Sequence, residues 1–351
     1  MRALVLAGGS GSRLRPITHT NAKQLIPVAN VPILFHVLGA IRDAGITEVG
    51  IVIGATGEEI RAAVGDGSRW GLRVTYLPQA EPLGIAHAVL VAEDYLRGEP
   101  FLLFLGDNLL LEGVARFVRM FEEHAPEAQI LLTRVPEPEH FGVAVVEGDR
   151  VVRLVEKPTT FVSDVALVGV YLFRDAIFDA CRSLRPSARG ELEITEAIQW
   201  LIDHGREVRA ELVGGWWKDT GRPTDLLEAN RMLLSLLAPR VEGEVDADSR
   251  VAGVAVIEPG ARVVRSTLVG PVVVGRDAHV EDATVGPDVA LAEGCVVRDA
   301  TVEDSIVMAG SRIEGARLRS SLLGRGVEVV GTGGAEVQAL VLGDRSRVGV
   351  E

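Results

Sequence analysis

Between Ile257 and Leu323 apolar residues return in steps of five and six: Ile257, Val263, Leu268, Val274, Val280, Val285, Leu291, Val297, Val302, Val307, Ile313, Leu318 and Leu323. Taken three at a time, the steps span 17, 17, 16 and 16 residues. A helix repeats every ~3.6 residues and a half-buried strand every ~2, so neither explains this spacing. Near-hexads grouped in threes point to a triangular coil of three short strands per turn, with apolar side chains stacked inward. Gly260, Gly275, Gly286, Gly294, Gly310 and Gly315 fall where such a coil would turn. The steps of five depart from a strict hexapeptide repeat. An ordinary β-sandwich is the alternative, and it does not require the triplet grouping.

The preceding residues have a different texture. Apolar runs at Ala3–Leu6, Val49–Ile53, Val74–Leu77, Phe101–Leu105, Ile130–Thr133 and Leu167–Phe173 read as buried strands. Amphipathic stretches lie between them. Ile33, Leu34, Val37, Leu38 and Ile41 keep helical spacing between Pro32 and Gly45, and Ile85 to Leu96 and Val114 to His124 read likewise. Such alternation predicts an α/β fold, a Rossmann-like, mostly parallel sheet with flanking helices. The texture changes at Ala238-Pro239-Arg240, which divides the chain into residues 1–240 and 241–351. A chain of 351 residues is long enough for two full cores.

Open sheets of this class bind ligands beyond the carboxyl ends of their strands. There the first strand runs into Leu6-Ala7-Gly8-Gly9-Ser10-Gly11-Ser12-Arg13-Leu14. Without Cβ atoms the backbone can press against a ligand, and successive N–H groups can cradle phosphate oxygens. Arg13 adds a planar fork of donors, and Lys23 follows. A dinucleotide fingerprint counted from Gly9 fails at Leu14, and no Gly-Lys-Ser/Thr ending makes this a Walker loop. The alternative is a plain flexible turn; the two cations favour a nucleotide phosphate site.

Other segments bear on chemistry. Phe101–Leu105 ends in Gly106-Asp107-Asn108, a carboxylate just past a buried strand. Gly214-Gly215-Trp216-Trp217-Lys218-Asp219-Thr220-Gly221 holds a second. Each alone reads as a turn or as core; two carboxylates converging on one cleft would suit Mg²⁺, which prefers oxygen ligands and substrate phosphates. Gln79, before Pro82-Leu83-Gly84, has an amide able to read a base edge. Glu156-Lys157 sets an acceptor beside a cation, and Glu191 and Glu193 stand at the start of a helix.

The net charge of −13 argues against a general nucleic-acid or membrane surface. Hydrophobic residues make up 47% of the chain, yet no apolar run approaches the ~18 residues of a membrane helix. The apolar start is too short for a signal peptide, so the expected compartment is the cytosol. Cys181 and Cys295 lie far apart and read as reduced thiols. The seven histidines form no zinc motif, and no Gly-x-Ser-x-Gly elbow supports a serine hydrolase.

In this order, Leu6 to Arg13, Lys23 to Val28, Leu105 to Asn108, Glu156 to Pro158, Trp217 to Gly221 and Asp225 to Asn230 resemble the sugar-phosphate nucleotidylyltransferases. Specifically, they resemble the long-form glucose-1-phosphate thymidylyltransferases. The resemblance covers Met1 to about Ala238, and this family appends a left-handed parallel β-helix. Val31, Ser12 and Asp164 depart from residues common in relatives.

The resemblance implies formation of dTDP-glucose and pyrophosphate from dTTP and glucose 1-phosphate, with Mg²⁺. Arg13, Lys23, Lys157 and Asp107 would be catalytic. Leu6, Gly8, Gly9, Gly11, Arg13, Lys23, Gln79 and Gly84 would bind the nucleotide. Asn108, Gly142, Glu156, Lys157, Gly169, Glu193 and Trp217 would bind the sugar phosphate, and Asp107 and Asp219 the metal. UTP would be a poorer alternative to dTTP, because one methyl group in a pocket is worth only ~1–3 kcal/mol. The competing reading is a UDP-sugar pyrophosphorylase acting on glucose or N-acetylglucosamine 1-phosphate, with acyl transfer in the β-helix. His279 is that region's one histidine. A non-catalytic relative should have lost the charged set, which is present here. The β-helix faces suit assembly of a homo-oligomer, a trimer or dimer.

Overall fold

The structure is a computed structural model describing all 351 residues, Met1–Glu351. By chain contacts it forms two compact units, Met1–Ser10 with Leu34–Asp219, and Gly11–Ile33 with Thr220–Glu351. Sequence texture instead groups everything before residue 240.

In the first unit the apolar runs become a nine-stranded sheet. Its order is Arg73–Pro78, Glu48–Ile53, Arg2–Ala7, Phe101–Leu105, Val165–Phe173, Ala128–Arg134, Val208–Leu212, Arg150–Glu156, Gly142–Glu147. All but Val165–Phe173 and Arg150–Glu156 run in one direction, but these two make four of the eight neighbouring pairs antiparallel, so the sheet is mixed, with its parallel part around the first strand. Central strands are covered on both faces, which is why they read as unbroken apolar runs; all nine residues of Val165–Phe173 are buried. Charged residues break up the half-covered strands Arg150–Glu156 and Val208–Leu212, whereas Gly142–Glu147 does hold an apolar run, Val143–Val146, that sequence reading passed over. The helix expected over Ile85 to Leu96 breaks at Ala92 into Ile85–Val91 and Glu93–Leu96.

The first strand lies between Glu48–Ile53 and Phe101–Leu105, parallel to both. Strand order therefore reverses about it, making its carboxyl end a switch point of the kind that binds ligands.

The second unit contains three parallel sheets of seven, seven and six short strands that the chain visits in rotation. Ile257, Val274, Leu291, Val307 and Leu323 are successive register partners in one sheet. Val263, Val280, Val297 and Ile313 are partners in the next, and Leu268, Val285, Val302 and Leu318 in the third. All are buried, so the 17- and 16-residue turns stack like on like. Gly260, Gly286, Gly294, Gly310 and Gly315 take positive φ, as their spacing suggested, whereas Gly275 does not. Glycine shares the corners with other residues. Arg265, Asp277, Asp282, Asp288, Asp299 and Asp304 hold left-handed backbone there, a conformation aspartate tolerates better than most residues.

This unit also holds the helix Pro223–Ser235 and a small hairpin, Pro27–Val28 with Val31–Pro32. Ala29 and Asn30, both at positive φ, form its two-residue turn. No helix of the chain is long and apolar enough to cross a membrane.

Candidate active site

In the first unit the carboxyl ends of adjacent strands bring several expected residues to one edge. The Gly106 N–H donates to the Leu6 carbonyl at 3.0 Å, and the Gln79 N–H to Ile53 at 2.9 Å. A Cβ placed on Gly8 would lie 3.5 Å from Gln79 Oε1 and 3.3 Å from the Gly54 nitrogen. Gln79 Nε2 donates to His87 Nδ1 at 2.9 Å and reaches the Gly84 carbonyl at 3.4 Å. The amide is thus held with its NH₂ turned inward and its oxygen toward Gly8. Sequence reasoning missed His87, whose position three residues past Gly84 on the helix Ile85–Val91 was the available signal.

Gly84 takes φ 101°, and a Cβ there would sit 2.5 Å from the Leu192 carbonyl oxygen. Leu192 is bonded into the same loop: its N–H donates to Leu83 at 2.8 Å, and its carbonyl accepts from Ala86 at 3.1 Å. The next residue, Glu193, stands at the start of the helix Ile194–Asp203, as its sequence suggested.

Glu193 belongs to a charged cluster. Arg189 Nη2 donates to Glu193 Oε1 and Oε2, both at 2.8 Å, and to Glu156 Oε1 at 3.0 Å. The Ser187 hydroxyl donates to Glu193 at 2.7 Å, and the Thr195 hydroxyl to Glu156 Oε2 at 2.8 Å. Burial opposes the charge on Arg189, but Glu193, Glu156 and Glu191 together hold its pKa above the ordinary value. Glu196 is raised by burial and then by the charges of Glu193 and Glu156. Lys157 Nζ lies 3.6 Å from Glu156, and its backbone adopts φ 39° at the strand end. Such a non-glycine conformation costs roughly 1–2 kcal/mol and marks a position the surroundings impose. Gly142 pairs with Glu156 across the sheet, and a Cβ there would meet Thr195 Cγ2 at 2.5 Å. Arg189 and Thr195 were not singled out from sequence, since each lies among residues that read as loop or ordinary helix start.

A carboxylate and an indole meet on Asn108. Asn108–Leu110 pairs antiparallel with Trp217–Asp219, setting Asn108 opposite Asp219. Trp217 Nε1 donates to Asn108 Oδ1 at 2.8 Å and to the Val168 carbonyl at 2.9 Å. Asn108 Nδ2 in turn donates to Asp107 Oδ1 at 3.2 Å. A Cβ on Gly169, at φ 76°, would lie 3.3 Å from Asn108 Cγ. Trp217 is therefore an anchor for Asn108 rather than plain core filling. No three His, Cys, Asp or Glu side chains form a ready-made metal cage. Two neighbouring carboxylate positions instead fit an oxygen-seeking ion that keeps substrate phosphates in its shell.

Gly9 is exposed at the end of the first strand. Gly11, Arg13 and Lys23 belong to the second unit. Within it the Thr18 hydroxyl donates to the Gly11 carbonyl at 2.7 Å, and a Cβ on Gly221 would collide with the Arg13 guanidinium at 2.6 Å. His279 sits half-buried on an outer face of the coil, 3.3 Å from Glu281 Oε2.

The model of the nucleotidyl transferase family matches residues 2–235. The chain is 54% identical over 352 residues to a glucose-1-phosphate thymidylyltransferase of Streptomyces griseus, covering 99% of each chain. It is 49% identical over 355 residues to the enzyme of that name from Streptomyces antibioticus, covering both in full. A crystal structure from Bacillus anthracis, provisionally described as a glucose-1-phosphate thymidylyltransferase in complex with a sucrose, superposes with a TM-score of 0.64 at 33% identity. That match covers 68% of this chain and 98% of the other. The glycine loop at a switch point, the paired Asn108 and Asp219 and the match over residues 2–235 together make this chain a member of the nucleotidyl transferase family.

Proposed function

We propose that the protein transfers a thymidylyl group from dTTP to glucose 1-phosphate, releasing pyrophosphate, with Mg²⁺ as the metal. The observation that carries this reading is the Leu192 backbone bridge, which ties the loop of Gln79 and Gly84 to the cluster of Glu193, Arg189 and Glu156. Nucleotide and sugar sites joined this way belong to one reaction centre.

In the reaction an oxygen of the sugar phosphate attacks the α-phosphorus in line. A new P–O bond forms as the bond to the β-phosphate breaks, and pyrophosphate leaves with the electron pair. A phosphate monoester has a second pKa near ~6, so the nucleophile is already ionised and needs no general base. The obstacle is the meeting of two polyanions. Lys157 and Arg189 would hold the sugar phosphate, while Arg13 and Lys23 would hold the triphosphate. Glu156, Glu193 and the backbone at Gly142 would take the sugar hydroxyls. Gln79 Oε1 would accept from thymine N3–H. Asp107 and Asp219 would hold Mg²⁺, which when bound neutralises phosphate charge.

In this reading residues 1–240 carry the chemistry, and residues 241–351 form a left-handed β-helix that supports assembly of copies of the chain. Charged substrates that do not cross membranes unaided favour the cytoplasm as the working compartment. The test is a pyrophosphate-release screen of dTTP, UTP, ATP and GTP against glucose, galactose and N-acetylglucosamine 1-phosphates. The highest kcat/KM is expected for dTTP with glucose 1-phosphate, with UTP next. Preference for a purine triphosphate would overturn the reading.

A further inference from the structure

The β-helix unit does more than stack strands. It contains the segment Gly11–Ile33, on which Arg13 and Lys23 lie, and two polar fastenings hold that segment to the coil.

The first is at Asn21, a side chain only 3% exposed. Its Nδ2 donates to Asp344 Oδ1 at 3.0 Å and to the Ile17 carbonyl at 3.1 Å. The same Asp344 oxygen accepts from the Arg325 N–H at 2.8 Å, so the carboxylate is set by the coil's own corner. Alongside, a Cβ on Gly343 would press on the Pro16 carbonyl oxygen at 2.9 Å, so the coil backs the segment directly.

The second is the hairpin turn. Asn30 Nδ2 donates to the Leu291 carbonyl at 2.7 Å, and the Ala29 N–H donates to Asn230 Oδ1 at 2.8 Å. Asn230 is fully buried, and its Nδ2 reaches the Asp288 carbonyl at 3.2 Å. Ala29 also packs with Leu234, Val256 and Val273. Lys23 lies between the two fastenings, two residues after Asn21.

The geometry points to Asn21, Asp344 and Asn30 as positioning residues for the triphosphate cations. The coil sets the backbone from which Arg13 and Lys23 project. Charged groups must stand within a fraction of an ångström of their place to be effective, and a shift of ~1 Å can cost about 10²-fold. This inference rests on the proposed nucleotide role of Arg13 and Lys23.

The test compares Asp344→Ala, Asp344→Asn and Asn30→Gly in the full-length protein. Asn30→Gly removes the amide yet accepts the left-handed turn. Arg265→Ala is the control, an exposed coil residue bonded to Glu281 and Asp282. Asp344→Ala and Asn30→Gly should raise KM for dTTP about tenfold and leave KM for glucose 1-phosphate within about twofold. Asp344→Asn keeps an oxygen for Asn21 and should match the unaltered protein, as should Arg265→Ala. Amide exchange across residues 17–30 should quicken in Asp344→Ala whether or not the protein turns over substrate. Unchanged exchange, equal rises in both KM values, or an asparagine variant as impaired as the alanine would overturn the inference. An unaltered protein that releases no pyrophosphate, yet shows the exchange difference, would overturn only the proposed reaction.

Discussion

Asn108 and Asp219 face each other across a two-stranded antiparallel ladder, so the carboxylate of Asp107 and that of Asp219 start from neighbouring backbone positions. Trp217, two residues before Asp219, holds the side chain of Asn108, and Asn108 holds Asp107. Segments more than 100 residues apart are thereby locked into one register.

Removing either carboxylate should abolish most turnover. Asp107→Ala or Asp219→Ala is expected to lose on the order of 10²–10³ in kcat, the cost of losing a preorganised electrostatic group. Steady-state rates across an Mg²⁺ titration check this. Near-normal turnover at saturating Mg²⁺ would count against the assignment.

His87 should set base selectivity through Gln79. With Nε2 engaged by His87 and Gly84, Gln79 offers an acceptor, which matches thymine N3–H and opposes the N3 lone pair of cytosine. His87→Phe frees the amide to rotate. The ratio of kcat/KM for dTTP over dCTP should fall about tenfold, a loss of ~1.4 kcal/mol of discrimination. An unchanged ratio would show that the amide is held by other means.

Gly142→Ala should strike the sugar side alone. The added Cβ meets Thr195 Cγ2 at 2.5 Å and Glu156 Oε2 at 3.1 Å. Overpacking of this kind costs ~1–3 kcal/mol. KM for glucose 1-phosphate should rise about tenfold, with KM for dTTP little changed. Separate titration of the two substrates reads the difference.

The buried thiols give a pH dependence with a definite sign. Burial pushes Cys295 up to about 11 and Cys181 up to about 12. Below pH 8 each thiol is protonated folded or unfolded and adds no slope. From about pH 9 the unfolded chain sheds its proton while the folded chain keeps it, so stability falls toward pH 11. Cys295 should account for about 2–3 kcal/mol of that fall. Denaturant melts of the unaltered protein and Cys295→Val at pH 8 and pH 11 check it, since the variant should lose less.

Much of the fold was legible because burial writes itself into spacing. Val263, Val280 and Val297 recur with the turn of the coil, and Phe101–Leu105 is apolar throughout because both its faces are covered. The strand Arg150–Glu156 escaped because Arg150, Arg153 and Glu156 interrupt its apolar residues on a half-covered surface. At the site, glycines and carboxylates stood out as motifs. Arg189, Thr195 and His87 did not, because their importance lies in what they bond to across the fold. Nor does local sequence announce that Asn21 is paired with Asp344, 323 positions away.

That last pairing bears on how chimeras of such enzymes should be cut. A junction at residue 240 takes Asn21 from one parent and Asp344 from the other, so the two sides must happen to agree. A hybrid that carries Gly11–Ile33 across together with Thr220–Glu351 inherits the fastening whole.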